Sequence, residues 1–167
     1  MNELVNNLLT KFNVIPHQNP DKFLHEFAKD QLAIGNGRTI IVDGSEYLTR
    51  IYLRQGQPDF GMFLHYFHKG DQVRDLHSHP WEYAYSIVLT SGYDEERCEG
   101  PTGKIVHVSH KPGDVNVLTK DTYHRVDLLN GGAWTLFIRG PRIQGWGFLN
   151  RETREYTSMD ADDSTND

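Results

Sequence analysis

From about residue 38 onward, the sequence is a succession of short runs rich in β-branched and aromatic residues, each ended by a turn-forming glycine or proline. Gly70-Asp71, Pro112-Gly113-Asp114 and Gly140-Pro141 are examples of these turns. The pattern predicts strands over residues 39–42, 47–53, 61–67, 83–89, 104–108, 115–118, 124–129, 134–138 and 146–149. Many short strands without intervening helices indicate an all-β sandwich or barrel.

The two ends of the chain differ from this strand-rich part. Apolar residues recur at helical spacing from Leu4 to Phe12, and Asn19-Pro20 is a suitable start for a second short helix. The predicted organisation is an N-terminal helical segment over residues 1–34 that packs on the barrel, the barrel over 35–152, and an acidic tail over 153–167. The tail has few apolar residues, so we expect it to be disordered.

Composition argues against several classes of function. A chain of 167 residues suits one domain, and its net charge of −6 disfavours nucleic-acid binding. The single cysteine, Cys98, cannot form an intramolecular disulfide, which is typical of cytosolic proteins. We see no signal peptide and no apolar run of the roughly 20 residues that span a bilayer, so we expect a cytoplasmic protein without nucleic-acid or membrane partners.

A His-x-His motif, His77-Ser78-His79, carries the strongest chemical signal. Side chains alternate along a strand, so both imidazoles point to the same face. A further imidazole, His124, follows the Pro112-Gly113-Asp114 turn and lies in another predicted strand. Imidazole is the commonest protein ligand for iron, zinc, nickel and copper, so the three histidines predict a metal site.

The segment Leu76–Glu82 resembles the first metal motif of the cupin family, in which a His-x-His pair precedes a glutamate and a glycine turn follows. Lys111–Val115, with His124 downstream, resembles the second cupin motif. More narrowly, stretches such as Ser91-Gly92-Tyr93 and Trp146-Gly147-Phe148 look like a group of bacterial and phage cupins with no assigned activity. The resemblance covers about residues 60–140. It implies a jelly-roll double-stranded β-helix barrel with metal at its mouth, and a homodimer paired through edge strands.

The resemblance implies a metal site of His77, His79 and His124, with Glu82 as an optional fourth ligand or catalytic base. The usual carboxylate position of the family falls near Ala84, which cannot bind metal. Arg139, near a predicted rim, is the candidate for orienting an anionic group of a substrate.

The other candidates are weaker. His65 and His68 differ by three along a strand, as do His107 and His110, so the members of each pair face opposite sides and cannot chelate one ion. Cys98 follows a charged stretch without a base nearby in sequence, and we expect it to be structural.

The expected function is a metal-dependent oxidoreductase, an Fe(II) dioxygenase-like cupin acting on a small polar molecule. Zinc, nickel or manganese acting as a Lewis acid is the alternative use of the same ligands. Two other functions stay open: a cupin that binds a small molecule without catalysis, and a metal-independent sugar-isomerase type of jelly roll. The last requires a histidine–carboxylate dyad.

Overall fold

The structure is a computed structural model that describes residues 20–71, 75–129 and 131–159. Its elements in chain order are helix α1 (Pro20–Ala33) and strands β1 (Gly37–Val42), β2 (Ser45–Gln57), β3 (Phe60–Phe67), β4 (Leu76–His77), β5 (Tyr83–Val88), β6 (Tyr93–Glu99), β7 (Val106–His110), β8 (Val115–Thr119), β9 (Thr122–Leu128), β10 (Ala133–Arg139), β11 (Gly147–Leu149) and β12 (Tyr156–Ser158).

The strands form two antiparallel sheets. The first has the order β1-β2-β3-β10-β5-β8, and the second has the order β12-β11-β4-β9-β6-β7. In each sheet a strand from late in the chain lies between two earlier ones: β10 between β3 and β5, and β9 between β4 and β6. The described chain is thus built mainly of two antiparallel sheets, which confirms the all-β part of the predicted fold class.

The helix covers the outer face of the first sheet. Leu24 and Ala28 of α1 are buried against Ile51, Leu64 and Trp134. Six consecutive residues of β10, 133–138, are buried, because one side of the strand faces this helix layer and the other faces the space between the sheets. A strand covered on both faces reads as a continuous apolar run rather than an alternating one.

The described residues contain one of the two predicted helices. The other prediction, over Leu4 to Phe12, lies outside the described residues. Helix α1 ends where Gly35 takes a positive φ of 76° and donates its N–H to the carbonyl of Leu32, which is a common way to close a helix. No helix in the described part of the chain has the length and apolarity needed to cross a membrane.

The predicted disordered tail begins too early. Strand β12 pairs with β11, with Gly147 opposite Ser158, so the fold continues past residue 152. All three residues of β12 are exposed, which explains the error: ladder hydrogen bonds fix the strand without an apolar signal in its sequence. Residues 160–167 lie outside the described residues.

Candidate metal centre

Three histidines converge between the sheets, as predicted. His77 ends β4 and pairs directly with His124 of β9, and His79 follows two residues later on the same side of the chain. Their candidate ligand nitrogens all lie within 4.8 Å of one another. Nε2 of His79 and Nε2 of His124 are 2.9 Å apart, which is within hydrogen-bond distance.

A buried carboxylate, Glu95 of β6, supports His124 from behind. Oε1 of Glu95 lies 2.5 Å from Nδ1 of His124, and Oε2 lies 3.0 Å from Nε2 of His110. The side-chain amide of Asn116 donates to Oε1 at 2.9 Å. Burial alone would raise the pKa of Glu95, but the hydrogen bonds from His110 and His124 hold it far below its usual range. Glu95 is therefore a permanent anion next to the triad.

A second carboxylate, Asp71, takes the same position behind His77. Its Oδ2 lies 3.6 Å from Nδ1 of His77 and accepts the backbone N–H of Val126 at 2.8 Å. The hydroxyl of Tyr47 donates to Oδ1 at 2.7 Å. Burial works to raise the pKa of Asp71, but the charge of His77 and the hydrogen bond from Tyr47 outweigh it and lower the pKa.

These contacts define the ligand set. Because Nδ1 of His77 and of His124 faces a carboxylate, the Nε2 edges of both rings are the ones available to an ion. A carboxylate behind a histidine fixes the ring and makes it a better donor, as in many known metal sites. Three imidazoles fit a divalent first-row ion and leave coordination positions for other ligands, which separates catalytic from closed structural sites.

The triad opens into a cavity of about 560 Å³. This volume is in the range of small-molecule sites. Trp81 stacks on His79 with ring centroids 5.2 Å apart and packs edge-on against Phe137. Burial lowers the pKa of His79 well below its ordinary value, and the nearby His124 and His77 lower it further, so this ring is a neutral donor. The remaining apolar wall includes Ile40, Val42, Leu48, Phe67, Leu118, Val126, Trp146 and Phe148.

Comparison with known proteins identifies the architecture. Over 62% of this chain and 55% of that chain, the structure superposes on HppE in its Fe(II) form with a TM-score of 0.53 and 10% sequence identity. It also superposes on a variant of Bacillus subtilis oxalate decarboxylase OxdC over 67% of this chain and 30% of that chain, with a TM-score of 0.51 and 14% identity. Both are cupin-fold proteins. The chain has the cupin fold.

The match with HppE spans only about half of that protein's length, so it describes the barrel alone. No protein-family model matches the sequence, and none of the curated proteins does. The cupin resemblance read from the two histidine motifs is confirmed at the level of the fold.

Within the cupin barrel, Glu82 does not join the histidine cluster, so its predicted role as a metal ligand is corrected, while its role as a catalytic base stays a prediction. Its side chain is exposed, while its backbone N–H bonds to the carbonyl of Pro141. His77, His79 and Trp81 follow one alternation toward the cavity, and Ala84 is the buried residue of the next strand. The one-residue change of register between Trp81 and Ala84 turns Glu82 outward.

Arg139 also lies away from the triad, and its predicted role in orienting an anionic group of a substrate stays a prediction. It ends β10, and its Nη1 donates to the carbonyl of Pro58 at 3.0 Å. It lines a separate pocket of about 240 Å³. The arginines that line the metal cavity are Arg38, Arg50 and Arg142.

The two members of each remaining histidine pair lie in different surroundings, as their spacing predicted. One member of each pair, His65 and His110, lies at or next to the site. His65 lines the cavity while His68 bonds to the hydroxyl of Thr49. His110 is buried on Glu95, and His107 is exposed. Cys98 is buried in a core cluster with Leu76 and Leu149, which fits its predicted structural role.

Sequence reasoning missed the two supporting carboxylates. Glu95 stands in the charged run Asp94-Glu95-Glu96-Arg97, which resembles a solvated strand. Glu95 shares its side of the strand with the buried Tyr93, but no alternation of apolar and polar residues marks β6 in the sequence. Asp71 was assigned to a turn, and nothing local indicates that Tyr47 and Val126 bind it.

Proposed function

We propose that this protein is a metal-dependent enzyme of the cupin type, with His77, His79 and His124 holding a divalent ion. The observation that carries the proposal is the convergence of three imidazoles, two of them supported by buried carboxylates, on a cavity of small-molecule size. A structural metal would have no need of such a cavity. The substrate class is a small polar molecule.

Iron is the metal that we favour, and the proposed reaction is an oxidation by O2, as in dioxygenases. When bound, an Fe(II) ion supplies Lewis acidity and one-electron chemistry with O2. The superposition on the Fe(II) form of HppE supports this choice. Zinc, nickel or manganese fits the same donors, since affinity alone does not select the metal.

The residues of the chain have separate tasks around the ion. Glu95 and Asp71 hold the Nδ1 sides of His124 and His77, so the ligand rings cannot rotate away. Trp81 and Phe137 exclude water on the His79 side of the cavity. Gln144 ties the rim by donating to the carbonyls of His79 and Lys120. A water-poor site strengthens every electrostatic interaction within it.

The experiment is elemental analysis of protein purified without a histidine tag and reconstituted anaerobically with Fe(II). Wild type should bind one equivalent, and the His77→Ala/His79→Ala variant should bind none. His107→Ala is the matched control, because this exposed histidine lies outside the triad. Oxygen consumption is then measured with pools of small polar molecules. Failure of the wild type to take up iron, zinc, nickel or manganese contradicts the proposal.

One observation favours a second function, the metal-independent isomerase type. That chemistry requires a histidine–carboxylate dyad, and Glu95 forms one with His124. Turnover that survives complete removal of metal by a chelator would favour it over the metalloenzyme. Saturable binding of a small molecule without turnover, in the metal-loaded protein under O2, would instead favour the non-catalytic cupin.

Three further features stay predictions: a homodimer, a cytoplasmic location, and the lack of nucleic-acid and membrane partners. Light scattering of the purified full chain tests the first. A mass twice that of the 19.3 kDa chain is expected.

A further inference from the structure

His65 of β3 lies in the wall of the metal cavity, and aromatic rings hold it in place. The rings of Phe63 and Phe137 are nearly parallel to the imidazole, with centroids 5.9 Å and 5.0 Å away. Phe67 meets the imidazole edge-on at 6.3 Å. Only 4% of His65 is exposed. Because interiors are closely packed, these rings restrict the orientation of the imidazole.

A hydrogen bond from Arg50 determines which nitrogen of His65 carries the proton. Nε of Arg50 donates to Nε2 of His65 at 3.1 Å. A guanidinium stays protonated in proteins and has no acceptor, so Nε2 of His65 must be the unprotonated nitrogen. Burial, and then the charge of Arg50, lower the pKa of His65 and keep the ring neutral. The single N–H proton of the ring therefore lies on Nδ1.

The Nδ1–H group of His65 is a donor without an acceptor in the described part of the chain. No described residue accepts a hydrogen bond from it, whereas the Nε2 side of the ring is engaged. The nitrogen also borders open space, because it is not among the enclosed polar atoms that lack a partner in the described residues. The open space that His65 borders is the metal cavity. An acceptor for this donor must therefore come from whatever fills the cavity.

The bond from Arg50 also makes Nδ1–H a stronger donor. A cationic group that donates to Nε2 polarises the ring, and hydrogen bonds in such a chain strengthen one another. A second proton on Nε2 would face the N–H of Arg50, so the ring gains this polarity without becoming an imidazolium. The cavity wall therefore presents a fixed, neutral and polarised N–H group.

Phe137 lies next to both this donor and the histidine triad. Its ring centroid is 5.0 Å from that of His65 and 6.0 Å from that of His79. Both imidazoles line the same cavity, whose volume suits a small molecule. A small molecule that contacts the triad is therefore long enough to reach Nδ1 of His65 as well.

We propose that His65 is a specificity-determining residue of this cavity, and that the substrate carries a carbonyl or carboxylate oxygen that accepts a hydrogen bond from its Nδ1–H. Arg50 acts as a positioning residue, because it sets the tautomer. The turnover of such a substrate rests on the proposed function, whereas its binding to His65 does not. A molecule with a methylene group in place of the oxygen leaves the donor unpaired, and sites of this kind reject such molecules.

The first measurement is the tautomer of His65 in the isotope-labelled full chain, metal-free and zinc-loaded. Long-range proton–nitrogen correlation spectra of the imidazole rings distinguish the two tautomers, and the signals of His65 are assigned by their loss in His65→Gln. We expect the proton on Nδ1 and none on Nε2. A proton on Nε2 overturns the proposal.

The second measurement is the affinity of the same protein for matched probes. Acetophenone offers a neutral carbonyl and benzoate a carboxylate, while α-methylstyrene replaces the carbonyl oxygen of acetophenone by a methylene group. At least one oxygen probe should bind about tenfold more tightly than α-methylstyrene to the metal-free wild type. Whether acetophenone or benzoate is preferred distinguishes the two kinds of oxygen.

His65→Gln removes the donor with little change elsewhere. The glutamine oxygen still accepts from Arg50, but the side chain has no N–H at the position of Nδ1. The preference for the oxygen probe should fall by about threefold to tenfold, with the affinity for α-methylstyrene unchanged. His65→Asn places an amide N–H near the position of Nδ1 and should restore part of the preference.

His68→Gln is the matched control, because His68 follows β3 closely, bonds to Thr49 and lies outside the lining of the cavity. It should leave the preference unchanged. If circular dichroism shows that His65→Gln does not fold, the Nδ1–H signal of the wild type decides: it should shift with the preferred oxygen probe and not with α-methylstyrene. The proposal is overturned if no oxygen probe is preferred, if the preference survives in folded His65→Gln, or if that signal does not respond.

The two proposals fail in distinguishable ways. Metal uptake by a protein that shows no preference for the oxygen probes overturns the role of His65 and leaves the metalloenzyme standing. A preference that requires His65, in a protein that takes up no metal, overturns the metalloenzyme and leaves the role of His65 standing.

Discussion

Oε1 of Glu95 lies 2.5 Å from Nδ1 of His124, although the two residues are 29 positions apart in the sequence. The contact forms because β6 and β9 are neighbours in the second sheet. It turns one candidate metal ligand into part of a buried network that includes His110 and Asn116. The chemistry of the triad therefore depends on residues that cannot themselves touch the ion.

Glu95→Gln should lower metal affinity by about tenfold to a hundredfold, because a neutral amide no longer fixes and polarises His124. The measurement is a competitive titration against a chromophoric chelator. Glu99→Gln on the same strand is the control, since Glu99 lies at the surface and pairs with Arg97. Equal affinities of the wild type and both variants would show that Glu95 only fills space.

His65 should make the metal-free protein less stable in acid. Its pKa is lowered in the folded state, so below the unfolded value of 6.5 the unfolded chain binds a proton that the folded chain refuses. The free energy of unfolding should therefore fall, by on the order of 1 kcal/mol, as the pH is lowered from 7.5 to 5.5, and the loss continues until the pH reaches the folded pKa.

His65→Gln keeps an acceptor for Arg50 and should remove that part of the pH dependence, as measured by urea unfolding across this range. The buried carboxylates Glu95 and Asp71 also have lowered pKa values, but their stabilising contributions are lost only at lower pH, below their unfolded values near 4. His107→Gln is the control, because solvent contacts this side chain in both states. The prediction is wrong if His65→Gln and the wild type lose stability in parallel.

Gly92→Ala should destabilise the fold by about 2–5 kcal/mol. Gly92 has a φ of 121°, and an added Cβ would meet the carbonyl oxygen of His110 at 2.5 Å. Gly100 separates the two causes, because it also has a positive φ, 70°, but open space around it. Gly100→Ala should cost only the backbone strain of about 1–2 kcal/mol. Thermal unfolding of both variants checks this, and equal losses would mean that the contact with His110 is unimportant.

Glu82→Gln should leave metal stoichiometry and affinity unchanged, because the side chain is exposed and outside the histidine cluster. The same chelator titration provides the measurement. His79→Gln, three residues earlier, gives the matching loss. A drop of tenfold or more in Glu82→Gln would restore this glutamate as a ligand.

Much of the fold could be predicted because its signals are local. The turn at Pro112-Gly113-Asp114 and the alternation in His77-Ser78-His79 act over a few residues, and both kinds of signal predict the same barrel. Strands β6 and β12 lack such a signal. Strand β6 carries charged side chains whose partners lie far away in the sequence. Strand β12 is held by its backbone pairing with β11.

The residues of the candidate site also fall into two groups, those with a local sequence signal and those without one. The triad follows from strand alternation plus one turn, whereas Asp71 and Glu95 are recognised only when the sheets are assembled. Arg139 flanks a turn, which places it near a rim, but its guanidinium binds the carbonyl of Pro58. Position along the chain places a residue near a rim, and it does not say which of two adjacent pockets the side chain enters.

Asp71 connects Tyr47 of the first sheet with Val126 and His77 of the second. An ion that fixes the ring of His77 therefore also stabilises the contact between the two sheets. We expect filling of the metal centre to slow amide hydrogen exchange along β2 and β9, far beyond the ligands themselves. The barrel and its ion would then share one cooperative unit, and losing the ion would loosen the wall that holds the substrate.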